Sequence, residues 1–384
     1  MAAMFSVFRR SHHPTSEAEP EIPIAGIAFD DHCRAVRAAI MTTSGSGSGL
    51  KWALRGAVAM TTTPEIVDTF HRLRSSTAIA PIRQTLHRSE WLARQLAGFA
   101  DAALRRLLQR VSIPVERLLA TGLTEPGLRG SMEEDPGSAV EADEPPRIHF
   151  QRNLANTALL AEMSGVPVID DFAARDLAVD GRGEPLEPLA WWTLFHHELR
   201  NRLLIDLYPD IVRYTWLPKP RSIRVHQSVL SGTMSRSADL SLTLERLHRE
   251  LRTSLSADLA IEEIFSETVI GEEPESSSPG TSPEVFPSSP PGIQELGNVF
   301  PGVPVYPLRI LGIPAELRPA CVASLLARFF LDRVPASFPS LTGGTAPRIL
   351  GRLTPGNAAA TERLLRFMNG EPLVARSLRS SVSG

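Results

Sequence analysis

The chain has 384 residues, 42% of them hydrophobic and 22% charged, with a formal net charge of −3. That length suits two or three domains with a sizeable buried core, and a net negative balance excludes a uniformly basic nucleic-acid binder. Two cysteines, Cys33 and Cys321, exclude a disulfide scaffold and a multi-cysteine metal or iron–sulfur centre, and no apolar run approaches the roughly 18 residues of a membrane span. Among the 40 basic residues only Lys51 and Lys219 are lysine. The arginine excess fits either a coding bias or the recognition of phosphate and carboxylate by a planar, permanently charged fork.

Residues 1–26 read as a disordered basic arm. Arg9-Arg10 follow the short apolar stretch Met4–Phe8 instead of preceding it, which is the wrong order for a secretion signal. Scarce cysteine and the missing signal suit the cytoplasm, or a virion for a coat protein. A first helical lobe is expected over 27–124. Arg34 to Ile40 reads as helix. Phe29-Asp30-Asp31-His32-Cys33 bunches metal-capable groups, but consecutive residues cannot all face one ion. Gly45 to Lys51 has the glycines of a phosphate loop, yet Trp52 stands where the magnesium-binding hydroxyl belongs, so the segment reads as a plain flexible loop. Leu92, Leu96, Phe99, Ala103 and Leu107 form one apolar helix stripe, with Ser89 as N-cap and Pro114 limiting the far end. Nine arginines stand against three acidic residues between Arg72 and Arg117. Arg105, Arg106 and Arg110, on the outward side of that helix, are placed to reach phosphates together.

Residues 125–146 read as an acidic linker with too little apolar surface to order itself. The second helical lobe, 147–270, carries an aromatic and arginine-rich segment. Trp191, Trp192 and Phe195 are candidates for self-association; Trp216, Arg221 and Arg224 are candidates for stacking on bases and pairing with phosphates of single-stranded nucleic acid. His196-His197-Glu198 lacks the second histidine of a zinc-protease helix, because position 201 is Asn201. Asp170, Asp171, Asp176 and Asp180 suit a hard cation, or simply helix caps and turns. Leu240, Leu244, Leu247 and Leu251 mark a later helix. Residues 271–296 form a Ser/Pro-rich linker. A small Pro-rich unit with a disordered tail follows over 297–384, with helices near 315–333 and 358–369.

The fold class expected from this pattern is mainly α: two helical lobes, disordered linkers and the small carboxy-terminal unit. No nucleophile, base and oxyanion site assemble at a believable spacing, and no cofactor or metal is called for. The function expected is therefore non-enzymatic. It is a self-assembling structural protein of coat or nucleoprotein type, binding RNA without sequence preference, with itself and single-stranded nucleic acid as partners and no membrane. Two other readings stay open: a cytosolic scaffold or regulatory protein whose Ser/Pro segment docks partners, and an enzyme without recognisable motif that uses Asp170, Asp171 or the histidines.

Overall fold

A computed structural model of the chain describes residues 21–46, 49–75, 82–133, 147–208, 211–220, 230–235, 240–254, 261–268 and 292–371. The first sheet begins with β1 (Ile22–Phe29), β2 (Ala35–Ser44) and β3 (Lys51–Thr61), three antiparallel neighbours. β1 reads Ile-Pro-Ile-Ala-Gly-Ile-Ala-Phe and is buried along almost its whole length, as a strand covered on both faces must be. The apolar run in β2 is of the same kind. Its periodicity is compatible with either a buried helix or a buried strand, and pairing on both edges settles it as a strand. The helix expected over 34–40 is corrected accordingly.

Helices α1 (Pro64–Arg74) and α2 (Ile82–Val111) follow. The stripe of Leu92, Leu96 and Leu107 is fully buried on α2, as the spacing predicts, but Ser89 lies inside the helix and caps nothing. Then come β4 (Thr121–Thr124) and the hairpin β5 (Leu128–Glu133) with β6 (Arg147–Arg152), a two-stranded sheet of its own. β5 occupies part of the segment whose composition marks a linker; residues 134–146 lie outside the described residues. Next are α3 (Thr157–Ser164), β7 (Val168–Asp170), α4 (Ala174–Leu177) and α5 (Pro188–Phe195).

The second sheet is built from β8 (Arg202–Leu207), β9 (Ile211–Leu217) and β10 (Leu230–Ser235), then, after α6 (Leu240–Ser254), from β11 (Glu263–Thr268). Helix α7 (Ile293–Val299) starts within the expected Ser/Pro linker and precedes β12 (Val305–Pro307). The chain closes with α8 (Arg318–Leu331), α9 (Pro339–Thr342), β13 (Arg352–Thr354) and α10 (Ala358–Met368).

The six-stranded sheet has the order β13-β7-β4-β1-β2-β3, with β1, β4 and β7 parallel. The five-stranded sheet has the order β10-β9-β8-β11-β12, with β8, β11 and β12 parallel. Alternate residues of the second sheet point opposite ways. Leu203, Ile205 and Trp216 join Leu244, Leu247 and Leu251 of α6, while Leu204, Leu217 and Phe265 join Trp192 and Phe195 of α5 and the apolar face of α8. The core of the molecule is therefore the layer of α5 and α8 between the two sheets, and α1, α2 and α3 cover the far face of the first. Helix α8 lies on the first sheet so closely that a Cβ on Gly26 would stand 1.9 Å from the Ala320 carbonyl oxygen, and one on Gly122 would stand 2.0 Å from that of Ala323.

This is a layered α/β architecture with three sheets, and the mainly-α expectation is overturned. Helix periodicity is easy to read over α2 and α6, whereas short buried strands leave no alternation to read. Among the described residues, no helix is long and apolar enough to cross a membrane.

Candidate active site at the carboxyl ends of the parallel strands

Open α/β sheets bind ligands beyond the carboxyl ends of their parallel strands, where loops and unpaired strand ends leave room for side chains. In the first sheet those ends are Phe29, Thr124 and Asp170, and the residues that follow them are Asp30-Asp31, Glu125 and Asp171. Five carboxylates thus gather at one end of three adjacent strands.

Asp170 is fully buried. Arg352, opposite it in the β7–β13 register, holds it with a two-pronged fork, Nη2 to Oδ2 at 2.8 Å and Nε to Oδ1 at 3.3 Å. Burial pushes the Asp170 carboxyl up, and the guanidinium opposes that shift. The same guanidinium reaches Asp171, with Nη1 at 3.6 Å from Oδ2. Asp171 has a positive φ of 54°, a conformation that costs a non-glycine residue energy and recurs at functional sites. It keeps part of its side chain open to solvent, while Asp170 anchors the pair from below.

Glu125 lies behind them, buried, with both carboxylate oxygens accepting the Ala155 N–H at 3.0 and 2.8 Å. Burial pushes its carboxyl up to about 7; the neighbouring charges of Asp170 and Asp171 add to the shift, and the amides of Ala155 and Leu154 oppose it. Cys33, at a positive φ of 57°, is buried in the β1–β2 turn. Burial first, and then Glu125, Asp30 and Asp31, push its thiol far up, so it is no nucleophile.

The Asp30 carboxylate is held inside its own turn. It accepts the backbone N–H groups of His32 at 3.0 Å, Arg34 at 2.9 Å and Ala35 at 2.7 Å, and Arg37 Nη1 lies 3.6 Å away. Across from this turn is the carboxyl end of β8. Burial, Asp206 and Asp31 raise the Tyr208 hydroxyl, and the charges around Arg213 include Glu187, Asp31 and Glu184. The carboxyl ends of the two sheets therefore face each other, acidic on the first sheet and with a tyrosine and an arginine on the second. A further loop is tied in by Asp176, whose carboxylate accepts the Gly183 N–H at 2.9 Å and the Thr342 hydroxyl at 2.6 Å.

Of the residues singled out from sequence, Asp170 and Asp171 and, in the β1–β2 turn, Asp30, Asp31 and Cys33 lie at this end, and Asp176 ties in the neighbouring loop; the others fall elsewhere. Trp192 and Phe195 are buried in the central layer, and Trp191 stacks on Phe195 at 5.6 Å, so these rings are packed within the chain. Trp216 has no exposed surface and offers no face to a base. Arg221 and Arg224 lie outside the described residues. Arg105 pairs with Asp101 at 2.6 Å and donates to the Met163 carbonyl at 2.5 Å. Arg106 is exposed. Arg110 lines an open cavity of about 550 Å³ with Arg55 and Arg117, near the amino end of β1. Gly45 and Lys51, which flank residues 47 and 48 outside the described residues, are at that same distant end, where the Gly45 carbonyl accepts from Arg328 at 2.7 Å. His196 is buried against Trp192, with Nδ1 2.8 Å from its carbonyl oxygen. Among the described residues no group of three or more His, Cys, Asp or Glu could hold a metal ion.

A sequence model of the family described as anhydro-N-acetylmuramic acid kinase matches residues 71–208, a stretch that contains Glu125, Asp170, Asp171 and Tyr208. The anhydro-N-acetylmuramic acid kinase of Nitrosomonas europaea is 26% identical over 321 residues, covering 70% of this chain and 85% of the relative. That of Nitrosospira multiformis is 24% identical over 325 residues, covering 72% and 85%. A shorter match, to the kinase of the same name from Pseudomonas putida, is 34% identical over 123 residues, 32% of this chain and 28% of the relative. These similarities overturn the non-enzymatic coat or nucleoprotein reading: the chain resembles enzymes along most of their length. The composition of its surface arginines misled the expectation, because charge patterning speaks to solubility and association and not to fold or chemistry.

Proposed function

We propose that the chain is a kinase that transfers a phosphoryl group to a hydroxyl of an anhydro amino-sugar acid of the anhydro-N-acetylmuramic acid type. The observation that carries this reading is Asp171, a partly open carboxylate at a strained backbone position, aimed by Arg352 at the carboxyl end of β7 within the stretch that matches the kinase family. Phosphoryl transfer asks little covalent chemistry of a protein; it asks for a positioned acceptor hydroxyl and a base for its proton. Asp171 takes that proton. Asp170 and Arg352 keep its carboxylate oriented, and the neutral form of Glu125 keeps a further buried charge out of the pair's surroundings. Tyr208 and Arg213 supply hydrogen-bond donors from the opposite sheet. The two free, buried cysteines suit the reducing cytoplasm.

A kinase draws its phosphoryl group from a nucleoside triphosphate carried with magnesium. Magnesium on phosphates needs only one or two protein carboxylates, and the exposed Asp31 stands at the correct end to be one of them. Phosphate oxygens need convergent N–H groups or cations, and at the β1–β2 turn those N–H groups already hold Asp30. The nucleotide's phosphates therefore do not fit that turn as it stands.

The test is incubation of the purified chain with anhydro-N-acetylmuramic acid, ATP and magnesium, with the phosphorylated sugar read by mass spectrometry. Wild type is expected to form product. Asp171→Asn is expected to lose about 10²–10⁴-fold in kcat, the usual contribution of a positioned base. Absence of product from wild type, or an unchanged kcat in the variant, overturns the reading.

A further inference from the structure

An anion site made from backbone has a recognisable form: several N–H groups of one turn converge on a point, and a cation stands beside it. The β1–β2 turn has this form. The amides of His32, Arg34 and Ala35 converge at 2.7–3.0 Å on one carboxylate, with the Arg37 guanidinium beyond it. The turn lies at the carboxyl end of a central parallel strand, on the side where the charge of Asp31 acts on Tyr208 of the second sheet. The anion in it belongs to the chain. We infer that Asp30 is a tethered anion that occupies a phosphate-class site at the carboxyl end of β1, and that it thereby sets how weakly this cleft holds phosphorylated ligands.

Three considerations support this. The carboxylate is attached at the start of the turn, so it competes with a dissolved anion at high effective concentration and without a translational entropy cost. Both of its oxygens are engaged, one by His32 and Arg34 and the other by Ala35, so a phosphate finds no spare amide among these three while Asp30 is seated. Its negative charge also repels an incoming phosphate over the same few ångströms. The inference rests on the proposed kinase reading only for its meaning, namely that a weakly held donor goes with a high KM for the nucleotide. The site itself is tested without sugar and without turnover.

The experiment measures binding of inorganic phosphate and of pyrophosphate by titration calorimetry at matched ionic strength, with urea unfolding to establish that each variant is folded. Asp30→Gly empties the nest. Asp30→Asn removes the charge but leaves a side-chain oxygen seated on the amides. Asp30→Ala, which leaves no side-chain acceptor, serves in its place if the glycine variant fails to fold. The emptied nest is expected to bind phosphate at least about tenfold tighter than wild type, the scale of one or two recovered charge-assisted hydrogen bonds; Asn is expected to stay near wild type. Equal gains for Asn and Gly overturn the inference, because relief of long-range repulsion would then explain both. A folded glycine or alanine variant with no gain overturns it as well. If Asp30→Gly gains phosphate affinity while no variant phosphorylates the sugar, the kinase reading fails and the tethered anion stands.

Discussion

Glu125→Gln isolates the energetics of the buried carboxylate. Glu125 is enclosed, faces Asp170 and Asp171 from β7, Cys33 from the β1–β2 turn and Arg352 from β13, and its carboxyl is displaced from 4.5 to about 7. An acid whose folded value lies above its unfolded value holds its proton more tightly when folded. Its contribution to stability is full below about 4.5 and is lost as the pH rises through the folded value near 7. Such a displacement makes the folded state about 2.5 kcal/mol less stable between about pH 5 and pH 8, at roughly 1.36 kcal/mol per tenfold change in proton affinity. Glutamine keeps an oxygen for the Ala155 amide and never ionises. Asp170 is also displaced but is present in both proteins, so the difference between the two isolates Glu125. Urea unfolding at a series of pH values should show the variant gaining about 2.5 kcal/mol on wild type from about pH 5 to pH 8. A difference that stays constant with pH refutes the assignment of that proton to Glu125.

Two further substitutions probe the central layer. Gly122→Ala places a methyl group 2.0 Å from the Ala323 carbonyl oxygen, and α8 must retreat from the sheet at a cost of about 3 kcal/mol; a loss under roughly 0.5 kcal/mol by urea unfolding would mean the helix is not seated there. Arg328→Met strands the buried Asp332, whose carboxylate Arg328 Nε meets at 2.8 Å, and is expected to cost about 3–5 kcal/mol at neutral pH. That loss should shrink as the pH falls, because a protonated Asp332 needs no counter-charge; a pH-independent loss would locate the cost in packing instead.

The long amphipathic helices were legible in the sequence because their period repeats over many residues: Leu92, Leu96 and Leu107 on α2, and Leu244, Leu247 and Leu251 on α6, are all buried as expected. The helices expected near 315–333 and 358–369 correspond to α8 and α10. The strands were not legible. β2 is apolar almost throughout and buried on both sides, so it carries no alternation; β4 and β7 are three or four residues long. Missing the parallel strands meant missing the site, because what joins Asp30, Glu125 and Asp171 is the order β7-β4-β1 and not any spacing along the chain. Asp170 and Asp171 stood out as a pair of carboxylates. Glu125 was hidden by acidic neighbours that mark a linker, and Arg352, 182 residues from Asp170, left no local trace.

Helix α8 sets an order of events for the chain as it is made. The first sheet takes three of its strands from residues 22–61, yet its second face is closed by residues 318–331. Ser324 donates to the Ile24 carbonyl across 300 positions, and Arg328 donates to the Thr43 hydroxyl across 285. Contacts so distant in sequence are slow to form. The apolar face around Gly26 and Gly122 therefore waits, uncovered, until the last quarter of the polypeptide has left the ribosome. Over that interval an exposed apolar face of this kind is prone to aggregation.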